Sequence, residues 1–216
     1  MLSEGTRKLG VASAVGVVIL GAMYAITLAA GLLSLPSPHQ PIGDPLFSIL
    51  EILIILMMPP MVALMAVVHA WASPETKTFS LTALVFMSIV AALTCSIHFV
   101  ILAVGHQAAF NALSWMPLFL SYRWPSVTYA LDILAWDVFF ALSVLFVAPV
   151  LSGTRLALWI RGLMIVSGVL ALAGLSGVVV SDMQLRDIGI VGYAVVFPIA
   201  ALLLAILFDR ARRQEA

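Results

Sequence analysis

Long runs of apolar residues alternate with short polar segments along the chain. A helix needs roughly 20 mostly apolar residues to cross a bilayer, and six runs meet or approach that length: 9–35, 46–71, 81–104, 127–151, 162–180 and 188–208. The segments between the runs contain Pro, Gly, Ser and charged residues, which are typical of turns. The pattern predicts an all-α integral membrane protein, a single domain built as a bundle of six transmembrane helices.

Composition supports the same class. The 216 residues are 63% hydrophobic and only 9% charged, whereas soluble domains are about 25% charged. Basic and acidic residues are equal in number, with no basic block, so nucleic-acid binding has no electrostatic support. The single cysteine, Cys95, excludes an internal disulfide. The first apolar run far exceeds the hydrophobic part of a signal peptide, so we interpret it as a span rather than a cleaved leader.

The distribution of Lys and Arg predicts that both termini are cytoplasmic (N-in, C-in). In that orientation the outer side holds only Arg123 and Arg186. The inner side holds the other eight: Arg7, Lys8, Lys77, Arg155, Arg161, Arg210, Arg212 and Arg213. This asymmetry follows the positive-inside rule. We therefore expect a multi-pass protein of a plasma membrane such as the bacterial inner membrane, with membrane lipid as its surroundings.

The segment 105–126, between spans 3 and 4, is too long for a simple turn and too short to cross the membrane. It is apolar and rich in aromatic residues, among them Phe110, Trp115 and Trp124. Such a composition is typical of a segment that lies in the headgroup region. The segment either anchors spans 3 and 4 as part of an aromatic belt or covers a functional site.

Ionisable and polar residues of several spans fall at one depth in the predicted topology. Counting 1.5 Å per residue from the outer end of each span places five side chains roughly 6–9 Å below the interface. These are Glu51, His98, Asp132, Ser176 and Tyr193. Charged groups inside a membrane are costly and usually face the protein interior. We predict a polar pocket in the outer half of the bundle, with Glu51, Asp132 and His98 as candidate catalytic residues.

Span 4 contributes most to this predicted pocket. Tyr129, Asp132, Trp136 and Phe140 follow the helical repeat and form one stripe. Five residues turn a regular helix by about 140°, so we expect Asp137 and Asp132 to point in different directions. The candidate ligand-binding residues are Asp137, Trp136, Tyr129, Tyr193, Trp115 and Phe140.

The favoured function is a pocket that binds a small lipophilic molecule and can act on it by acid–base chemistry, because positioned carboxyl and imidazole groups transfer protons. One alternative is a small proton-coupled transporter or permease subunit that uses Asp132 and Asp137 as proton carriers. Another is a structural or accessory membrane subunit, in which the polar groups hold helices together within a homo-oligomer or against a partner subunit.

No cofactor is predicted, but Cu(I) is a second interpretation of the sulfur-containing residues. Met57 and Met61 recur on one face of span 2, and span 3 carries Cys95 and His98. Thioether and thiol ligands suit Cu(I). Methionine is also an ordinary filler of apolar interiors, which favours packing over metal binding.

Overall fold

The computed structural model describes residues 2–37, 40–105 and 107–210, and this part of the chain is all-helical, without strands. Six helices are long and apolar enough to cross a membrane: α1 Glu4–Leu33, α2 Leu46–Trp71, α3 Pro74–Val104, α4 Val127–Val150, α5 Arg155–Val180 and α6 Met183–Arg210. The all-helical class and the six helices of spanning length agree with the sequence-based prediction.

Short polar side chains determine where several helices begin. Ser3, Ser126 and Thr154 each accept a hydrogen bond from the backbone N–H three residues further along the chain. This N-cap satisfies a donor that the first turn would otherwise leave free. Helix α1 therefore begins at Glu4 and α5 at Arg155, well before their apolar runs.

The long helices pack against one another in chain order, and the last part of α6, Phe197–Arg210, packs against α1 and closes the ring. Helix α4 is the most buried of the six. It also contacts α6 across the bundle, where the ring of Phe140 meets that of Phe197 at a centroid distance of 5.1 Å. We call the end of the bundle that carries the N-terminus proximal and the opposite end distal.

Apolar side chains fill the proximal half. The core there includes Leu64 and Val68 of α2, Val147 of α4, and Phe208 of α6, all at most 1% exposed. His69 also belongs to this half, and its Nδ1 lies 2.9 Å from Ser80 Oγ.

Helix α1 covers the distal half of the bundle incompletely. Its buried residues are Gly10, Ser13, Ala14 and Val17 near the proximal end, and then only Gly31. It packs along α2 and along the proximal part of α6. Among the described residues, few contacts join α1 to the distal part of α6, 187–196. The distal halves of α1 and α6 are therefore in little contact, and we call the region between them the lateral groove.

The connection between α3 and α4 contains two short helices, Ala108–Asn111 and Met116–Leu120. Its last part is tied to the start of α4, because the backbone carbonyl of Ser121 accepts hydrogen bonds from Ser126 Oγ and from Thr128 Oγ1, the latter at 3.2 Å. This attachment determines the position of the next residue, Tyr122.

Candidate functional site

Five buried ionisable side chains from four helices meet in the distal half of the bundle. We call them the ionic cluster, and each is at most 8% exposed: Glu51 of α2, His98 of α3, Asp132 and Asp137 of α4, and Arg186 of α6. Burying a charge costs free energy unless it is paired and hydrogen-bonded. The pairing within the cluster therefore decides what the site can do.

Glu51 and His98 form the first pair. His98 Nδ1 lies 2.8 Å from Glu51 Oε2. The hydroxyl oxygen of Tyr122 lies 2.9 Å from Nδ1 and 3.0 Å from Nε2 of the same ring. A histidine protonated on Nδ1 would donate to Glu51 and accept the Tyr122 hydroxyl proton at Nε2. His98 Nε2 also lies 3.9 Å from Asp132 Oδ1, which links this pair to α4.

Tyr122 belongs to the connection between α3 and α4. Burial raises the pKa of its phenol well above the ordinary value, and the nearby Asp132 and Glu51 carboxylates raise it further. The hydroxyl therefore stays protonated and can donate to a His98 nitrogen that carries no proton. Tyr122 could not be predicted from the sequence, because no periodic pattern governs an irregular connection.

Arg186 joins the two carboxylates of α4. Its Nη2 donates to Asp132 Oδ2 at 2.9 Å, and its Nε donates to Asp137 Oδ2 at 3.1 Å. The guanidinium carbon also lies 4.7 Å from the centre of the Tyr129 ring, a cation–π contact. In the sequence Arg186 counted only as an outer basic residue, and the structure shows it buried at the start of α6. The sequence did contain one indication of such a partner: span 4 carries two acids, and no predicted span contains a Lys or Arg that could pair with them.

Asp132 and Asp137 point toward the same guanidinium, so the expectation that they diverge by about 140° is wrong. The physical reason is a π-helical segment in α4, Leu134–Phe140. In a π-helix each N–H bonds the carbonyl five residues earlier, which widens the turn. A residue five positions further along then returns toward the same face, and both carboxylates reach Arg186.

One fully buried carboxylate oxygen of the cluster has no hydrogen-bond partner among the described residues. Within the described residues, Asp137 Oδ1 has no hydrogen-bond partner although the side chain is fully buried. It faces the backbones of Gly174 on α5 and Gly189 on α6. A Cβ at Gly174 would lie 2.9 Å from this oxygen, and one at Gly189 would collide with it. The two glycines let three helices approach one another around the unpaired oxygen.

Three of the predicted ligand-binding residues form an aromatic layer below the cluster. The ring of Trp136 lies 5.1 Å from that of Tyr193 and 5.7 Å from that of Phe140. Tyr193 belongs to a second π-helical segment, Gly192–Val196 in α6. Phe140 is fully buried, whereas Tyr193 is half-buried. These rings contact one another and separate the cluster from the apolar proximal core.

Two other residues that the sequence grouped with the site lie elsewhere. Trp115 is on the connection between α3 and α4, is 46% exposed and packs against Phe119 at 5.4 Å. Ser176 is exposed on α5, so its predicted inward direction is wrong. In contrast, Tyr24 of α1 is near enough to Asp132 and Glu51 to interact with their charges, and sequence analysis missed it.

The sulfur-containing residues are part of the packing. Met61 is 1% exposed in the hydrophobic core, and Met57 packs against that core. Cys95 is half-buried beside the same apolar cluster. His98 contacts Glu51 and Tyr122. The Cu(I) alternative stays a prediction.

Two hollows lie away from the ionic cluster. One, of about 450 Å³, is at the proximal end and is lined by residues that include Val15, Leu202 and Asp209. The other, of about 390 Å³, is lined by residues of the connection between α3 and α4, among them Leu113 and Met116. Neither hollow is lined by a residue of the ionic cluster.

The fold and the site together define a polytopic helical membrane protein with charged residues buried among its helices. No family model, curated protein or solved structure matches the chain.

Proposed function

We propose that the distal half of the bundle binds a small lipophilic molecule and exchanges protons with it through Glu51, His98 and Asp132. The observation that carries this proposal is the contact chain from Glu51 through His98 to Asp132, with separations of 2.8 and 3.9 Å. An imidazole between two carboxylates is a common arrangement for general acid–base chemistry, because it can accept a proton on one nitrogen and release one from the other.

The carboxylates around His98 favour proton transfer from a bound molecule to the imidazole. In the resting arrangement Glu51 accepts the Nδ1 proton of His98, and the Tyr122 hydroxyl occupies Nε2. If Nε2 takes a proton from a bound molecule, the resulting imidazolium gains a second carboxylate neighbour, Asp132, at 3.9 Å. Opposite charges at this distance stabilise the charged form.

The lateral groove between α1 and α6 provides the proposed route of entry from the lipid. Tyr24 on α1 and Tyr129 on α4 are half-buried on that side of the cluster. The rings of Trp136 and Tyr193 would form the floor against which an apolar molecule packs. Trp115 would belong to the membrane interface, because its exposed ring lies on the aromatic connection between α3 and α4.

The proposed topology places both termini in the cytoplasm and the ionic cluster in the extracytoplasmic half of the membrane. The basic residues of the proximal end, among them Arg7, Lys77 and Arg155, support this orientation by the positive-inside rule. The exposed apolar residues of the segment 105–126 support its position in the outer headgroup region.

A proton-coupled transporter is the second candidate. The observation that favours it is the pair of π-helical segments, in α4 and α6, which contact each other at the cluster through Trp136 and Tyr193. Such segments frequently mark functional sites in helices. However, the core of the described proximal half is apolar, so no continuous chain of ionisable groups leads from the cluster to the charged residues of that end. We therefore place the binding site first.

The test is the recovery of a bound compound from purified protein. Organic extraction and mass spectrometry should find a lipophilic compound with the wild type and much less with Asp132→Asn or Glu51→Gln. Asp209→Asn is the matched control, since this carboxylate lies at the proximal end, 3.5 Å from Arg7. Equal recovery from all variants would contradict the proposal. A co-purifying protein without any small molecule would instead support an accessory subunit, within a homo-oligomer or with a partner membrane subunit.

A further inference from the structure

The ionic cluster contains more acidic than basic groups. Three carboxyl groups, one guanidinium and one imidazole meet within hydrogen-bonding and ion-pair distances. Even with His98 protonated, the fully ionised cluster has a net charge of −1. An uncompensated charge among membrane helices is costly. Either a proton or a bound cation must therefore neutralise it.

The hydrogen bonds show the same shortage of positively charged donors. Asp132 and Asp137 share the single guanidinium of Arg186, each through one oxygen. Within the described part of the chain, Asp137 Oδ1 has no partner at all. His98 Nε2 lies 3.9 Å from Asp132 Oδ1, which is longer than a hydrogen bond. The charge count and the unpaired carboxylate oxygen both show that the cluster has fewer positive groups than its three carboxyl groups require.

We propose that the ligand of the site is a lipophilic organic cation, whose positive group binds beside Asp132 and displaces one proton from the ionic cluster. This inference rests on the proposed function and names its ligand class. An anionic ligand would add a negative charge to the neutralised cluster, and a neutral ligand would leave the proton in place. Only a cation can take the place of that proton.

Asp132 is the contact point because it is the most accessible carboxyl group of the cluster. Its side chain is 12% exposed, against 4% for Glu51 and 0% for Asp137. The half-buried Tyr24 is near enough to Asp132 to interact with its charge, and the half-buried Tyr129 lies against Arg186. Aromatic faces attract organic cations, and one face of Tyr129 already contacts Arg186.

The proton balance follows from the sharing of Arg186. In the empty site one proton resides on Asp137 and a second is held by the Glu51–His98 pair, so the cluster is neutral. When a cation binds Asp132, Arg186 is available to neutralise Asp137, which then loses its proton. The bound cluster is again neutral, and no covalent bond of the ligand changes. One cation enters for each proton that leaves.

Other titratable groups near the cluster do not alter this balance. The tyrosines Tyr24 of α1, Tyr122 of the connection, Tyr129 of α4 and Tyr193 of α6 surround it and carry no charge when protonated. From α5, the described residues nearest the cluster include Gly174 and no ionisable side chain. The charge change is therefore confined to the five members of the ionic cluster.

The experiment uses purified protein in lipid nanodiscs and two probes of equal shape, tetraphenylphosphonium and tetraphenylborate. Binding is measured by calorimetry, and released protons by a pH indicator in weak buffer. We expect the cation to bind with release of about one proton, and the anion to bind at least roughly tenfold more weakly. Cation binding without proton release, or equal binding of the two ions, would overturn the proposal.

Variants with an amide in place of a carboxyl group distinguish a failure of the cationic ligand class from a failure of the proposed binding site. Asp132→Asn and Asp137→Asn each remove the excess negative charge, so tetraphenylphosphonium should bind roughly tenfold more weakly to either, while Asp209→Asn behaves as the wild type. If a variant does not fold, the proton count of the wild type still decides. The protein could instead bind neutral triphenylphosphine and not the cation, and lose that binding in Asp132→Asn. This result would refute the cationic ligand class but support the proposed binding site. Failure of every probe, with no compound recovered from purified protein, would refute both.

Discussion

Arg186 differs from the other described basic residues because its guanidinium is surrounded by protein. It is 5% exposed and holds two carboxylates of α4 at 2.9 and 3.1 Å. Removing one partner of such a pair leaves an uncompensated buried charge, which costs more than the pair itself contributes. The residue is therefore the element of the ionic cluster on which folding depends most.

Replacing Arg186 by Met tests this dependence. We expect Arg186→Met to lower the free energy of unfolding by about 3–5 kcal/mol, because Asp132 and Asp137 lose their shared partner. Most of that loss should disappear in the triple variant that also carries Asp132→Asn and Asp137→Asn, since no buried charge is then left unpaired. The measurement is the midpoint of thermal unfolding in detergent. Additive losses across the three substitutions would show that the ion pairs are not coupled.

Tyr122 provides a prediction with a defined pH dependence. Because burial raises its pKa, the phenol should stay protonated when the pH passes the ordinary tyrosine value of 10.0. A pKa that is raised in the folded state stabilises the fold below the ordinary pKa, and this contribution is lost as the pH rises toward the folded value. The difference in tyrosinate absorbance between wild type and Tyr122→Phe should be absent at pH 11 in folded protein and appear after unfolding. Tyrosinate formation by Tyr122 in the folded protein would refute its burial beside His98.

At the level of helices, the site residues on regular α-helices could be placed from the sequence, and those at irregular positions could not. Glu51, His98 and Asp132 were expected together because depth can be counted along regular helices, and the structure brings them together. Asp137 was oriented wrongly because hydropathy does not reveal a π-helical segment. Arg186 was missed because a basic residue at the polar edge of a span has the same sequence signature as a loop residue.

Close helix approach around Asp137 depends on two glycines. A Cβ at Gly189 would collide with Asp137 Oδ1, so Gly189→Ala should destabilise the protein by about 1–3 kcal/mol. Gly162→Ala is the matched control, because it lies in helix α5 with no atom within 4 Å of a new Cβ. We expect the control to be neutral or slightly stabilising, since alanine favours helix. Thermal unfolding of both variants, under identical conditions, makes the comparison. Equal effects would contradict the packing described around Asp137.

For the whole molecule, the uneven distribution of ionisable groups is the main functional feature. The distal half holds the ionic cluster, and the proximal half is filled by apolar side chains such as Leu64 and Phe208. A binding site that opens to one side of the membrane needs ionisable groups in one half of the bundle only. A conduit through the membrane would also need polar groups along the interior of the proximal half, which is apolar.

The orientation of the molecule in the membrane can be measured directly. A reporter fused after Ser37 should lie outside the cytoplasm, and one fused after Ala216 inside it, because the proximal end carries most of the basic residues. The control is a fusion after Ser152, in the α4–α5 connection, which should behave like the C-terminal fusion. Reporters at Ser37 and Ala216 on the same side would contradict the proposed topology.

The π-helical segment Leu134–Phe140 also has a consequence for how the chain compares with any related chain. A π-helical segment contains one residue more than the α-helix that would replace it, and deleting that residue restores regular hydrogen bonding. A related protein whose function does not need two carboxylates bound to one arginine can lose a residue in this segment and still form six helices. Such a loss would appear in an alignment as a single-position gap inside a membrane helix, whereas most gaps fall in loops. A gap of this kind would distinguish chains that share the architecture from those that share the site.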